Sequence, residues 1–328
     1  MDQRPGTRPA LTDRIAGAPI SWGVCEVPGW GLQLDVDRVL REMHELGLRA
    51  TELGAIGWLP TEPDALRAKL DAHELRVVGA FIPLVCHEPA RRQEALASAE
   101  AMAGLLEAVG AENFVTAVVT DPAAWRRVPL TAAHWEHIFA VLDEIDDITT
   151  AHYLRQVVHP HVNTLVETSD ELDRVLDHSP VSICLDTGHL TIGGADPLGI
   201  AERASFRVGL VHLKDVRTAV AARLNAGELG LMEAVQNGLF APLGDGDVPI
   251  ADVVTTLERN GYSGRYVLEQ DVAITDGEPP AGEGPVRDVA KSVTYLRSVE
   301  SSLGATLPAG AHSAVAGASP TTQIRGGS

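Results

Sequence analysis

Residues 155–190 read RQVVHPHVNTLVETSDELDRVLDHSPVSICLDTGHL. An apolar, β-branched run is broken by His159-Pro160-His161. A segment with apolar residues at helical spacing follows (Leu172, Val175, Leu176), and a second apolar run, VSICL, stops at Asp186. Strand, helix and strand in that order make the βαβ unit of a parallel sheet. The imidazoles and the carboxylate stand where the apolar runs stop, which places them at the carboxyl ends of strands.

The alternation continues on both sides. Strand candidates are GAPISWG from Gly17, ATELGAI from Ala50, RVVGAFIPL from Arg76, NFVTAVV from Asn113, RQVVHPHV from Arg155, VSICLDTGHL from Val181, RVGLVHLKD from Arg207 and GRYVLEQD from Gly264. Amphipathic helices are expected over 36–46, 63–72, 91–109, 132–145, 169–177 and 250–260. Asp35 and Ser169 supply N-cap chemistry, and Gly47 and Gly261 stand where helices end in a left-handed residue. Eight strand–helix repeats favour an α/β chain folded as a single (β/α)8 TIM barrel over an open doubly wound sheet. The first strand–helix turn carries no G-x-G-x-x-G phosphate loop. A barrel is expected over residues 15–302, with disordered arms at 1–14 and 303–328, where the sequence is polar, proline-broken or rich in Ala, Gly and Ser.

Composition narrows the function. Hydrophobic residues are 45% and charged residues 22% of the 328, enough for a large core. Forty-five acidic against 26 basic residues give a net charge of -19, which repels nucleic acid and anionic membrane. Cys25, Cys86 and Cys184 show no CxxC pairing, so a reducing cytoplasm is expected. Residues 1–12 lack the apolar core of a signal peptide, and no run reaches the ~20 apolar residues of a membrane span. Neither GxSxG nor a P-loop occurs, which sets serine hydrolases and NTPases aside.

In such a barrel the active site forms at the carboxyl ends of the strands. Here those ends carry Glu52, His159 and His161, Asp186 and His189, His212, Lys214 and Asp215, and Glu269, Gln270 and Asp271. Acids crowded on one rim repel unless a cation compensates, and carboxylates with neutral imidazoles are donors that a divalent ion takes. Asp186, Glu269 and His212 read as functional; His159 taken alone reads equally as a structural histidine. Lys214 shares a strand face with His212 and reaches either a substrate oxygen or a salt bridge to Asp215 or another neighbour. Trp22, Trp30 and Trp58 are candidate walls of a sugar pocket or core residues. Cys184, inside a strand, reads as a small core hydrophobe.

The series HPHVNTLVET, LDTGHLTIGG, VHLKDV, FAPLGDGDV and GYSGRYVLEQD, with APISWGVCEVPGWG and TELG before it, resembles the xylose-isomerase-like barrels. Among them it is most similar to the inosose (2-keto-myo-inositol) dehydratase group. The resemblance runs from about Ala16 to Arg297. It implies one divalent ion, Mn²⁺ or Co²⁺ before Mg²⁺ or Zn²⁺, held by His159, Asp186, His212 and Glu269. It also implies a small polar sugar or cyclitol substrate and a homodimer or homotetramer. Implied for acid–base work are Glu52, His161, His189, Lys214 and Glu269, and for substrate contact Trp22, Glu52, His161, His189 and Lys214. The reaction implied is loss of water from a keto-cyclitol through an enediolate, with isomerisation or epimerisation on the same site as the alternative, and a non-catalytic binding barrel as the remote one. Two departures leave the substrate open: Asn163 in place of a glycine, and Leu243 rather than proline before Gly244.

Overall fold

Eight parallel strands close on themselves in the computed structural model, which describes residues 8–123 and 125–306. In chain order the strands are β1 (Ile15–Gly17), β2 (Ala50–Glu52), β3 (Arg76–Leu84), β4 (Asn113–Val118), β5 (Arg155–Val158), β6 (Ser182–Asp186), β7 (Val208–Leu213), β8 (Asp215–Val216), β9 (Phe240–Ala241) and β10 (Tyr266–Leu268). The barrel runs β1-β10-β7-β6-β5-β4-β3-β2, and β8 and β9 form a separate antiparallel ribbon on its rim. The helices are α1 (Val36–Glu45), α2 (Pro63–Asp71), α3 (Arg92–Ala108), α4 (Ala132–Ala151), α5 (Ser169–His178), α6 (Thr187–Ile192), α7 (Pro197–Ala204), α8 (Thr218–Asn225), α9 (Leu231–Gln236), α10 (Ile250–Arg259) and α11 (Pro285–Thr306).

The barrel interior is filled by Ala16, Ala50, Val78, Val115, Val157, Cys184, Leu210 and Val267, one residue from each stave. Alternate residues of the same strands pack outward against the helices, so β7 is buried along its whole length and its sequence reads as a continuous apolar run. Cys184 is part of this filling.

The barrel architecture agrees with the sequence reading, but several local assignments change. The first strand stops at Gly17, and Pro19–Trp22 form a 3-10 turn, a conformation for which proline at the first position is preset. That turn sends Trp22 into the wall between barrel and α1, fully buried, where its indole N–H donates to Glu42 Oε2 at 2.9 Å. Asp35 caps α1 as expected, accepting from the N–H groups of Asp37 and Arg38. The cap of α5 is Thr168, in a capping box with Glu171, rather than Ser169. Both barrel limits move outward. The 3-10 turn Thr12–Arg14 precedes β1, with Arg14 buried and ion-paired to Glu258, and α11 continues to Thr306. Residues 1–7 and 307–328, where the rest of the expected arms fall, lie outside the described residues.

Asp215 explains the GDGD loop. Its buried carboxylate accepts four backbone N–H bonds, from Val216 (2.9 Å) and Val248 (3.0 Å) at Oδ1 and from Gly244 (2.8 Å) and Gly246 (3.0 Å) at Oδ2. A Cβ on Gly246 would sit 2.2 Å from Asp215 Oδ1, so the loop closes over the carboxylate only with glycine there. The salt-bridge alternative between Lys214 and Asp215 is thereby corrected: consecutive residues of an extended chain point to opposite sides. Asp215→Ala strands these donors, and a loss of about 3 kcal/mol or more of stability is expected, at ~1 kcal/mol or more per unsatisfied buried group. Urea unfolding of the variant beside the parent checks it.

Candidate metal centre

The adjacent staves β5, β6, β7 and β10 each end in a donor: His159, Asp186, His212 and Glu269. Parallel register puts Asp186 directly beside His212. His159 Nε2 lies 3.1 Å from His212 Nδ1 and 3.5 Å from Asp186 Oδ2, and Asp186 Oδ2 lies 3.7 Å from His212 Nδ1. Glu269 Oε2 touches His212 Nδ1. One donor atom from each of the four falls within 4.8 Å of all the others.

Three observations say what belongs among them. First, Asp186 Oδ2 and Glu269 Oε2 are buried and, apart from their close approaches to the imidazoles of the cluster itself, accept no hydrogen bond, a costly arrangement for ionised acids. Second, Asp186 divides its labour: Oδ1 caps α6, accepting from Gly188 N (2.8 Å) and His189 N (2.7 Å), while Oδ2 is aimed at the cluster. Third, an ion bound at about 2.0–2.2 Å holds neighbouring donors some 3.0–3.6 Å apart, close to the separations found among His159, Asp186 and His212. The donor set fits a divalent cation.

The electrostatics agree. Burial alone would raise the Asp186 and Glu269 carboxyls, but Lys214 and the imidazoles hold both well below the usual carboxylate range, so both are anions. Burial works against charge on His159, yet the Cys184 sulfur and Asp186 outweigh it and push the imidazole up to about 9. The site calls for positive charge. A metal ion would supply it, with the imidazoles as neutral ligands.

Glu52 stands across the rim on β2. Its Oε1 lies 3.1 Å from His212 Nε2, and by accepting an Nε2–H there it would free the Nδ1 lone pair for an ion in the cluster. Carboxylates behind metal-bound imidazoles characteristically do this. Glu52→Gln is expected to weaken metal affinity about 10–100-fold, the usual cost of losing such a partner. Titration against a chromophoric chelator measures it.

Beside the donors lies a second polar group. Lys214 is fully buried, and its Nζ donates to Asp271 Oδ1 (2.7 Å) and Glu269 Oε1 (3.2 Å) and lies 3.0 Å from His189 Nε2. Its stem passes Gly188, where a Cβ would meet it at 2.7 Å; the glycine of DTGH is there to let the lysine through. Burial would depress the Lys214 ammonium, but Asp271, Glu269 and Asp186 hold it firmly protonated. Asp271 itself is pushed up to about 6 by burial, against the pull of Lys214. The His189 and His161 ring centroids lie 3.6 Å apart with the planes tilted by 36°, and burial lowers both, His161 to about 3. His161 Nδ1–H donates to the Val162 carbonyl at 2.7 Å, which leaves Nε2 as an acceptor.

These groups form the floor of a cavity of ≈ 470 Å³ at the barrel mouth. Glu52, His161 and Glu269 line it, whereas His189 and Lys214 lie one layer behind. Of the tryptophans considered from sequence, Trp30 lines the cavity. Trp22 does not, for the reason given above, and Trp58 faces another depression, its N–H on the Leu34 carbonyl. Sequence reasoning gave no role to Asp271 or to the wall residues Phe81 and Trp125, all three of which line the cavity. For Asp271 a signal existed, since it stands two residues after Glu269; the aromatic pair had none.

A model of the xylose isomerase-like TIM barrel matches residues 40–298. The chain belongs to the xylose isomerase-like TIM barrel family. Among relatives in this family, an inosose dehydratase of Geobacillus kaustophilus (strain HTA426) is 33% identical over 275 residues, covering 80% of this chain and 89% of its own. An inosose dehydratase of Lacticaseibacillus casei is 28% identical over 298 residues, covering 87% and 97%. The same barrel occurs in the crystal structure of the IOLI protein with a bound zinc atom, at a TM-score of 0.64 and 14% identity, covering 88% of this chain and 99% of that one. No helix of the described residues is long and apolar enough to cross a membrane.

Proposed function

We propose that this xylose isomerase-like barrel is a divalent-metal-dependent lyase that removes water from a keto-cyclitol such as 2-keto-myo-inositol. The observation that carries it is the convergence of His159, Asp186, His212 and Glu269 with two unpartnered acid oxygens. The two inosose dehydratases, similar over most of their length, support the substrate class.

Bound among these donors, a divalent ion supplies Lewis-acid stabilisation of the charge that develops on a substrate carbonyl oxygen. The chain's own residues do the rest. Glu52 lines the cavity with one oxygen engaged by His212, and its second oxygen takes the proton from the carbon next to the carbonyl, giving an enediolate. Asp271, hydrogen-bonded to Lys214 and exposed to the same cavity, protonates the β-hydroxyl as its C–O bond breaks, so that water leaves. His161 Nε2 accepts from a ring hydroxyl. His189 and Lys214 act from behind, holding His161 and Asp271 in place. Mixed nitrogen and oxygen donors suit Mn²⁺ or Co²⁺. An acidic chain with unpaired cysteines fits a cytoplasmic enzyme.

The test is metal-stripped protein resupplied with Mn²⁺, Co²⁺, Mg²⁺ or Zn²⁺ on a panel of inososes and ketoses, with water loss read by absorbance and isomer formation by NMR. Metal-restored water loss from an inosose is the expected result. Epimer or aldose–ketose exchange without water loss moves the protein to the isomerases, and silence without metal binding removes the catalytic reading.

A further inference from the structure

The cavity is larger than the proposed substrate needs. At interior packing density a keto-cyclitol of about a dozen non-hydrogen atoms fills on the order of 150 Å³. The cavity offers ≈ 470 Å³. Glu52, His161, Glu269 and Asp271 line its floor; the rest of the lining includes the polar Glu26 and Asn163 and the apolar Val27, Trp30, Ile56, Trp125, Leu231 and Met232, with Trp125 packed against His161 at 5.5 Å between ring centroids.

Most of that lining is built to be apolar. The indole N–H of Trp30 already donates to the Val272 carbonyl at 2.8 Å, so Trp30 has no hydrogen bond left for a hydroxyl. Trp125 is held at φ 42°, an uncommon backbone state for a bulky residue, with its ring stacked on Phe81 at 5.7 Å between centroids. Ile56 is 68% and Met232 37% exposed, two of the large apolar side chains that the described surface leaves in water. Water fills such a space poorly for want of polar partners.

We propose that the cavity has a second, apolar compartment, and that the physiological substrate is a keto-cyclitol or keto-sugar bearing an apolar substituent, an O-alkyl or O-aryl group, that lies against Trp30, Trp125, Ile56 and Met232. This rests on the keto-cyclitol reading above for the reacting ring.

Two measurements test it separately. In the first, binding of myo-inositol and its mono-O-benzyl ethers, which carry no ketone to react, is followed by calorimetry and by quenching of tryptophan fluorescence. At least one ether is expected to bind tenfold or more tighter than the parent, since each buried methylene-sized group contributes severalfold. Ile56→Asp and Met232→Asp are expected to erase that preference. In the second, kcat/KM is compared for 2-keto-myo-inositol and its mono-O-benzyl ethers; the best ether should exceed the parent tenfold, and the two variants should bring the ratio down at least tenfold. Equal binding of ethers and parent overturns the compartment. So does dissociation of a dimer by Ile56→Asp or Met232→Asp with ether binding unchanged, because the wall then belongs to a second copy of the chain. If an ether binds tighter but no ketone loses water, the compartment stands and the dehydratase reading falls.

Discussion

Asp186→Asn is expected to leave the barrel folded and remove its metal. The two oxygens of Asp186 do different work: Oδ1 caps α6 through Gly188 and His189, and Oδ2 is the unpartnered atom facing His159 and His212. An asparagine keeps an oxygen for the cap and puts an amide, a donor without a free lone pair, where the ligand oxygen stood. Circular dichroism and the thermal transition should stay near those of the parent. Metal content after dialysis should fall to background, and activity on the responsive substrate should drop by about 10³-fold or more, since the ion supplies several kcal/mol and each 1.4 kcal/mol is tenfold. Full metal occupancy in Asp186→Asn would remove Asp186 from the ligand set.

Lys214→Met separates the metal from the acid–base work. Methionine keeps much of the buried stem volume and removes the charge. Asp271 then loses its cation. Burial raises its carboxyl and Lys214 lowers it, so without the lysine it rises further above about 6. Activity is expected to fall about 10²–10⁴-fold, the range attributed to positioned proton transfer. The limb of the pH profile that reports Asp271 should move to higher pH, and metal affinity should change much less than in Asp186→Asn. A pH profile that keeps its shape, with the loss entirely in metal affinity, would make Lys214 a counter-charge for the metal ligands only.

The conformations around these residues show how far local pattern reaches. β3 (Arg76–Leu84) coincides with its expected run, and the other barrel strands lie within or beside theirs, because alternation and apolar runs encode which face of each segment is buried. The donor residues were legible for the same reason: Asp186 ends an apolar run, and in a parallel barrel all such ends share one rim. Trp22 was not legible. Whether an indole after β1 faces the mouth or the helix layer depends on one 3-10 turn begun by Pro19 and on a distant acceptor, Glu42. Nor was the segment carrying α8, α9 and the β8–β9 ribbon, which puts Leu231 and Met232 on the cavity wall.

By itself, then, the sequence determined the barrel and the rim on which its chemistry gathers, since both follow from which residues neighbour one another along the chain. Only the tertiary structure decided that Asp186 splits its oxygens between cap and cluster, that Glu52 aligns His212, that Lys214 belongs to Asp271 rather than Asp215, and that most of the cavity wall is apolar. Those are contacts between residues as much as 160 positions apart, fixed when the strands closed into a ring, and no local pattern carries them.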